Sequence, residues 1–251
     1  MADGIYRRPG RRKKRSALFA PLAFLLICGA LVFALSIFFR VSVIEVEGAE
    51  SYSYDDVVEA SGVEKGDNLF FINRSTVVSR LRSKLPYIEQ AYIESKMPNK
   101  VIINIVESGA VAYVSNDDGK WIISRSGKVL KKSDGTDLDD LICVIGVTPI
   151  APSEGETVSA GSGETLKVQY MIDILSFLDE KDMAEDVSRL DMSNSASPTF
   201  HYLGRFNVKL GKNENLDYKL ELLLSAVSQL TPSDSGTIDL SIDKKAHFSP
   251  E

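Results

Sequence analysis

The sequence predicts an α+β protein held in a membrane by a single N-terminal transmembrane helix. Residues 17–39 carry no charged side chain, which is typical of a membrane span. Residues 41–109 show apolar patterns in the order strand, helix, helix, strand, strand. Residues 110–242 contain many short strand-like segments and two helical stripes. We therefore expect a small β-α-α-β-β module, followed by a mixed antiparallel beta domain with two helices.

The predicted transmembrane helix, residues 17–39, follows a basic tail, residues 1–16. A helix of this length rises about 35 Å, enough to cross a hydrocarbon core of about 30 Å and to contact membrane lipid. Because basic residues concentrate before the span and the chain after it is rich in acids, the tail is predicted to be cytoplasmic and the remainder extracytoplasmic. The basic residues of the tail are Arg7, Arg8, Arg11, Arg12, Lys13, Lys14 and Arg15.

Two other interpretations of the span are a cleaved signal peptide and the buried helix of a soluble domain. Ala34 and Ser36 fit a small-residue cleavage site weakly. However, Ile37, Phe38 and Phe39 continue the apolar run past that site, which favours an uncleaved anchor.

The charge distribution is asymmetric. The basic residues and Asp3 give the tail a net charge of +6. Because the whole chain has a net charge of −6, the rest of the chain carries −12. An acidic body argues against a nucleic-acid ligand, which needs a basic face. Cys28 lies in the span and Cys143 is the one cysteine beyond it, so no intrachain disulfide is expected there. The roughly 210 residues outside suffice for one large or two small domains.

The first module, residues 41–109, begins with an alternating strand. A helix starts at Ser53, with Asp56 three residues later, and stops at Gly62. A second helix ends before Pro86. The predicted strands are Val41 to Glu47, Tyr87 to Ser95 and Lys100 to Glu107, and the apolar positions of the second helix are Val77, Val78, Leu81 and Leu85.

The beta domain, residues 110–242, is predicted to combine a meander with two helices, and residues 243–251 read as a C-terminal tail. Ser153 to Gly163 reads as an exposed loop. The predicted strands are Ala110 to Val114, Lys120 to Ile123, Lys128 to Leu130, Leu141 to Val147, Val187 to Met192, Thr199 to Tyr202, Arg205 to Leu210 and Thr237 to Ile242. The helical stripes are Leu166, Tyr170, Ile174 and Phe177, then Leu216, Leu220, Leu223, Val227 and Leu230.

From about Val41 to His247 the chain resembles the bacterial cell-division proteins FtsQ and DivIB. The first module resembles their POTRA domain at Val46, Glu47, Gly48, Gly66, Asp67, Asn68, Leu69, Phe70, Leu85, Pro86, Ala91, Ile93, Pro98, Ile103, Ile105, Glu107 and Ala112. The second resembles their beta domain at Trp121, Gly127, Val129, Leu130, Gly146, Val208, Leu210, Gly211, Leu216, Lys219, Leu220, Leu223, Ile238, Asp239 and Leu240.

No catalytic, cofactor-binding or metal-binding residues are predicted, so the chain is expected not to be an enzyme. His201 and His247 are far apart in sequence, and no His, Cys and carboxylate set has metal-ligand spacing. Ser241 and Lys244 match S-x-x-K by number, but Ser241 ends a predicted strand rather than starting a helix. The sequon at Asn73 is explained equally well by a helix start.

Without a catalytic set, the expected activity is binding through a sheet edge. The preferred docking edge is the terminal strand, because a chain end is less often covered. The predicted partner-binding residues are Thr237, Ile238, Asp239, Leu240, Ser241 and Ile242. The alternative is an ordinary sheet edge capped by residues 243–251.

The resemblance implies a noncatalytic divisome scaffold that helps to recruit and regulate septal peptidoglycan synthesis. It implies contacts with small bitopic coiled-coil proteins of the FtsL and FtsB or DivIC type and with the septal peptidoglycan synthase complex. It also implies a location in the cytoplasmic membrane, concentrated at the division septum. A membrane-anchored cell-wall enzyme with an unrecognised site and a POTRA-type chaperone are the alternatives.

Overall fold

The computed structural model describes residues 16–242 and 244–251, so most of the predicted basic tail lies outside the described residues. Its first element is helix α1, Ser16–Phe38. None of residues 21–38 is buried against the rest of the protein. Of the helices that the structure describes, α1 is the one long and apolar enough to cross a membrane.

A three-stranded sheet with two helices follows α1, in the predicted order. Strand order in the sheet is β1-β3-β2, with β3 parallel to β1 and antiparallel to β2. Val101, Ile103 and Ile105 of β3 are buried in one cluster with the helices, as their shared face predicts. The elements are β1 (Val43–Glu47), α2 (Tyr54–Ser61), α3 (Arg74–Lys84), β2 (Ile88–Lys96) and β3 (Lys100–Glu107).

Both helices of this module begin at side-chain caps. The Ser53 side chain accepts from the Asp56 N–H, and the Asp56 carboxylate accepts from the Ser53 N–H, forming a capping box for α2. Gly62 ends α2 with a φ of 66°, a left-handed conformation that favours glycine. Asn73 caps α3 by accepting from the Thr76 N–H, so the formal sequon coincides with a helix start.

The beta domain is a nine-stranded mixed sheet with two helices, which confirms the predicted fold class. Strand order is β12-β11-β10-β9-β8-β7-β4-β5-β6, with parallel pairs β4/β7, β7/β8 and β10/β11. The elements are β4 (Ala110–Asn116), β5 (Gly119–Ser124), β6 (Val129–Lys132), β7 (Ile142–Ile145), α4 (Thr165–Glu180), β8 (Val187–Asp191), β9 (Thr199–Tyr202), β10 (Phe206–Lys209), α5 (Leu216–Val227), β11 (Gly236–Asp239) and β12 (His247–Pro250).

The helices of this domain share one apolar core with the sheet. Met171, Ile174 and Leu175 of α4 are fully buried, as are Leu220 and Leu223 of α5. The predicted stripe of α4 is wrong at Leu166, which lies in the first turn and is 83% exposed. The buried face of α4 instead consists of Val168, Tyr170, Met171, Ile174, Leu175, Phe177 and Leu178.

A polar and apolar joint connects the two domains. Tyr87, just before β2, packs against a small cluster that includes Ile122 of β5 and Leu130 of β6. The ammonium of Lys128 donates to the backbone oxygens of Arg82, at 2.6 Å, and Ile88, at 2.9 Å. Since the Arg82 carbonyl lies in the last turn of α3, it lacks a partner within that helix. The beta domain therefore caps a helix of the first module.

Candidate functional site

The predicted docking strand is not a sheet edge. β11 covers Gly236–Asp239 and is paired on both sides, with Ile238 opposite Val208 of β10 and Phe248 of β12. The ring of Phe248 packs edge-on against that of buried Phe206, with centroids 6.1 Å apart. Through this contact β12 packs against the apolar core, so the residues after 243 fold back along β11. The edge assignment was wrong, and the capped alternative is what the structure contains.

The six predicted docking residues differ in accessibility. Ile238 and Leu240 point into the core and are at most 1% exposed, whereas Thr237 and Asp239 are half-buried on the opposite face. Ser241 is exposed and Ile242 is 53% exposed, both in the connection to β12. The alternation of a strand explains this division. Only the end of the segment is accessible, and its role in partner binding stays a prediction.

The free edge at this end of the sheet belongs to β12. The Glu251 N–H donates to the Ser235 carbonyl. Since backbone groups alternate in direction along an antiparallel strand, those of Ser249 and His247 also face β11. The N–H and C=O of Phe248 consequently face away from the sheet. Pro250 presents a carbonyl there but has no N–H. β12 is thus a short edge whose central residue offers one donor and one acceptor.

A polar turn ends β11. Oδ1 of Asp239 accepts hydrogen bonds from Ser241 N, at 2.8 Å, and Ser241 Oγ, at 2.6 Å. Burial alone would raise the pKa of Asp239, but these hydrogen bonds and the nearby Lys209 and His247 lower the pKa below its ordinary value. The Ser241 hydroxyl therefore hydrogen-bonds to Asp239 in the turn that ends β11, rather than lying at the start of a helix as the S-x-x-K motif requires.

The opposite end of the large sheet is partly covered. The Val129 N–H donates to the Glu156 carbonyl, and the Gly155 N–H donates to the Val129 carbonyl, both at 2.8 Å. The predicted exposed loop thus pairs with the first residue of β6. The start of β6 is therefore covered, whereas no backbone hydrogen bond among the described residues covers the outer side of β12.

A cleft of about 1000 Å³ lies between α3, β2 and α4. Its lining includes Arg74, Arg82, Lys128 and several serines, and contains no acidic residue or histidine. Burial, and to a smaller extent the charge of Arg82, lower the pKa of Lys128 to about 8, while Glu89 opposes the shift. Since both hydrogen bonds of the Lys128 ammonium go to backbone carbonyls, this lysine is placed to hold the joint.

The histidines do not converge on a site. Nδ1 of His201, on β9, lies 3.3 Å from Oδ1 of Asn207, on β10, while His247 begins β12. Among residues 16–242 and 244–251 no group of three or more His, Cys, Asp or Glu side chains is arranged to hold a metal ion.

Sequence reasoning missed β12 and the role of Lys128. The His247–Pro250 strand is only four residues long, too short for an alternation pattern to be distinctive. Phe248 is its one large apolar residue and, in hindsight, its one signal. No sequence signal identifies Lys128, because its carbonyl partners come from a different domain.

Two family models match consecutive parts of the chain. Residues 39–108 match the POTRA domain of FtsQ type. Residues 112–241 match the C-terminal part of the cell division protein FtsQ/DivIB, which is more than half of the chain. The two matches meet at the joint between the small module and the nine-stranded sheet.

Curated relatives carry the same names. The chain is 28% identical over 192 residues to the cell division protein DivIB of Clostridium tetani, covering 76% of this chain and 71% of that protein. It is 26% identical over 243 residues to DivIB of Clostridium botulinum, covering 95% and 93%. A cell division protein FtsQ from Corynebacterium glutamicum is 25% identical over 127 residues, covering 51% of each chain.

Proposed function

Because the chain belongs to the FtsQ/DivIB family of cell-division proteins, we propose that it is a noncatalytic, membrane-anchored scaffold of the division machinery. The observation that carries this proposal is the family match along both domains. As a scaffold it binds other division proteins and helps to recruit and regulate septal peptidoglycan synthesis. It is concentrated at the division septum.

The proposed topology places the basic tail in the cytoplasm and both folded domains outside the cytoplasmic membrane. It is supported by the basic residues before α1 and by the acid-rich chain after it. A cysteine-reactive, membrane-impermeant label distinguishes the two sides. In intact cells, an Asp118→Cys variant is expected to react and an Ala2→Cys variant is not, in a background lacking Cys28 and Cys143. The reverse pattern would contradict the topology.

The proposed docking surface is the outer edge of β12 with the exposed Ile242 beside it. The outward N–H of Phe248 donates to the backbone of a partner strand, its carbonyl accepts from that strand, and Ile242 supplies an apolar contact. The proposed partners are bitopic coiled-coil proteins of the FtsL and FtsB or DivIC type, which connect the chain to the synthase complex. The surface retains only the accessible end of the originally predicted segment.

Co-purification of the full chain with these partners tests the surface. A Phe248→Pro variant removes the outward N–H, so we expect partner recovery to fall by at least about tenfold, whereas Phe248→Ala, which also lacks the ring but keeps the N–H, retains most of the recovery. Fluorescence of Trp121, the one tryptophan, reports whether each variant stays folded. Unchanged recovery with folded Phe248→Pro would exclude the β12 edge.

A chain that stops at residue 243 separates two modes of binding. If the partner adds to β12, this truncation abolishes recovery. If the partner instead replaces β12 on β11, recovery rises because the competing strand is gone. A fluorescent fusion tests the division role itself, and an even distribution around the cell would contradict it.

A further inference from the structure

The connection between α2 and α3, residues 62–73 and hereafter the α2–α3 loop, is tied directly to the end of α1. The side-chain amide of Asn68 donates to the Ser36 carbonyl at 3.1 Å, and the Leu69 N–H donates to the Phe39 carbonyl at 3.0 Å. Two further backbone hydrogen bonds, each 2.8 Å, join Val41 to Gly66 and Asp67. The loop is therefore held against the last turn of the apolar helix.

These contacts set the height of the α2–α3 loop relative to a bilayer. A hydrocarbon core of about 30 Å takes roughly 20 residues of helix, so a span that begins near residue 17 reaches its outer boundary near Ser36. The Ser36 carbonyl is among the last four of α1, which have no partner further along the helix. Asn68 satisfies this carbonyl at a depth where an unpaired one is costly.

The α2–α3 loop turns two phenylalanines outward at this level. Phe70 is 67% exposed and Phe71 is 84% exposed, although their neighbour Leu69 is buried in the core of the small module. Asn68 shapes the turn, because Oδ1 accepts from the Phe70 N–H and the backbone oxygen accepts from the Phe71 N–H. The same residue thus caps α1 and directs both rings.

The two phenylalanines continue the apolar surface of α1. The ring of Phe70 packs edge-on against that of Phe39, with centroids 4.9 Å apart, and Phe39 contacts Phe38 in the same way at 5.2 Å. Aromatic rings at the end of a span are typical of the membrane interface, where their apolar area leaves water.

We infer that the α2–α3 loop is a membrane-interface anchor whose Phe70 and Phe71 side chains insert into the outer leaflet of the bilayer. The ligand is the lipid bilayer itself, at the boundary of headgroups and acyl chains. The inference rests on the proposed membrane crossing of α1 and is independent of partner binding. Asn68 acts as a positioning residue that fixes the small module against the membrane surface.

Depth-dependent fluorescence quenching tests the anchor in the full chain. In a Trp121→Phe background, single tryptophans replace Phe71 in the loop, Phe33 in α1, or Leu166 in α4. Leu166 is a matched control, since at 83% exposed it is close to Phe71, at 84%, but belongs to the beta domain. Each variant is reconstituted in phosphatidylcholine and phosphatidylglycerol vesicles, with and without bromine on the upper acyl chain.

We expect brominated lipid to lower the emission of Phe71→Trp by roughly twofold and to leave Leu166→Trp unchanged. Quenching of Phe33→Trp reports the crossing of α1 separately. If Phe33→Trp is quenched and Phe71→Trp is not, the anchor is refuted while the crossing stands. If neither is quenched, both fall. Equal quenching of Leu166→Trp would also refute the anchor, because the contact would then be nonspecific.

A further variant tests the positioning role of Asn68. Asn68→Leu, added to Phe71→Trp, keeps a side chain of similar size but replaces the amide with an apolar group, so both side-chain hydrogen bonds are lost. We expect the quenching at Phe71→Trp to weaken by at least about half, with quenching at Phe33→Trp unchanged. Undiminished quenching at Phe71→Trp would show that Asn68 does not position the loop.

Discussion

The buried ammonium of Lys128 gives the joint between the two domains a pH dependence that can be measured. The Lys128 residue is 5% exposed, and its ammonium donates to the carbonyls of Arg82 and Ile88. Lys128→Met keeps an unbranched side chain of similar length but removes the titrating group. The perturbation therefore isolates the charge in the joint from most of the packing.

The expected sign follows from linkage. The pKa of Lys128 is lowered from 10.5 to about 8, so between these values the unfolded chain binds more protons than the folded one. The free energy of unfolding therefore rises with pH in this window. At about 1.4 kcal/mol per pKa unit, the rise between about pH 7.5 and about pH 9.5 amounts to about 2 kcal/mol. The buried tyrosines have raised pKa values and act in the opposite direction only at higher pH.

The assay is urea unfolding of the full chain in detergent micelles, followed by Trp121 fluorescence at several pH values. We expect the free energy of unfolding of the wild-type chain to gain about 2 kcal/mol relative to Lys128→Met across this pH range. Lys96→Met, which removes an exposed lysine from β2, should leave the wild-type slope intact. If the free energy of unfolding had the same pH dependence in the wild type and in Lys128→Met, the presence of a buried ammonium with a lowered pKa in the joint would be refuted.

Three further substitutions test separate features of the fold. Ile238→Lys places a charge in the core at a position that is 0% exposed, so it should unfold the beta domain and abolish its cooperative thermal transition. A variant that stays folded and loses only partner binding would contradict the interior position of β11. Asn73→Ala should lower the free energy of urea unfolding by about 1 kcal/mol, because it removes the side-chain cap of α3. Asn73→Asp keeps a capping oxygen and should retain most of the wild-type stability, and equal losses in the two variants would argue against the cap. Gly146→Ala should lower the free energy of unfolding in the same assay by at least about 1 kcal/mol, because Gly146 has a φ of 81° and an added Cβ would meet the backbone of Met192 at 2.6 Å. An unchanged unfolding midpoint would disprove this close approach.

Much of the architecture could be predicted because it depends on local patterns. The order of the small module follows from alternation in its strands and from helix signals such as Ser53, Asp56 and Gly62, which act within one turn. The candidate site was less predictable. Ile238 and Leu240 alternate as an edge strand would, and a pattern of this kind does not show whether a neighbour covers the strand.

By itself the sequence determined the apolar span, the α+β class, the order of elements in the small module and the family, since these depend on composition and on spacing along the chain. The tertiary structure alone decided which strand is the edge, which carbonyls Lys128 caps and how Asn68 meets the end of α1. The contacts of Lys128 and Asn68 join residues far apart in sequence. They exist only after the chain has folded, because the polar groups and apolar side chains concerned are satisfied by partners that no local pattern specifies.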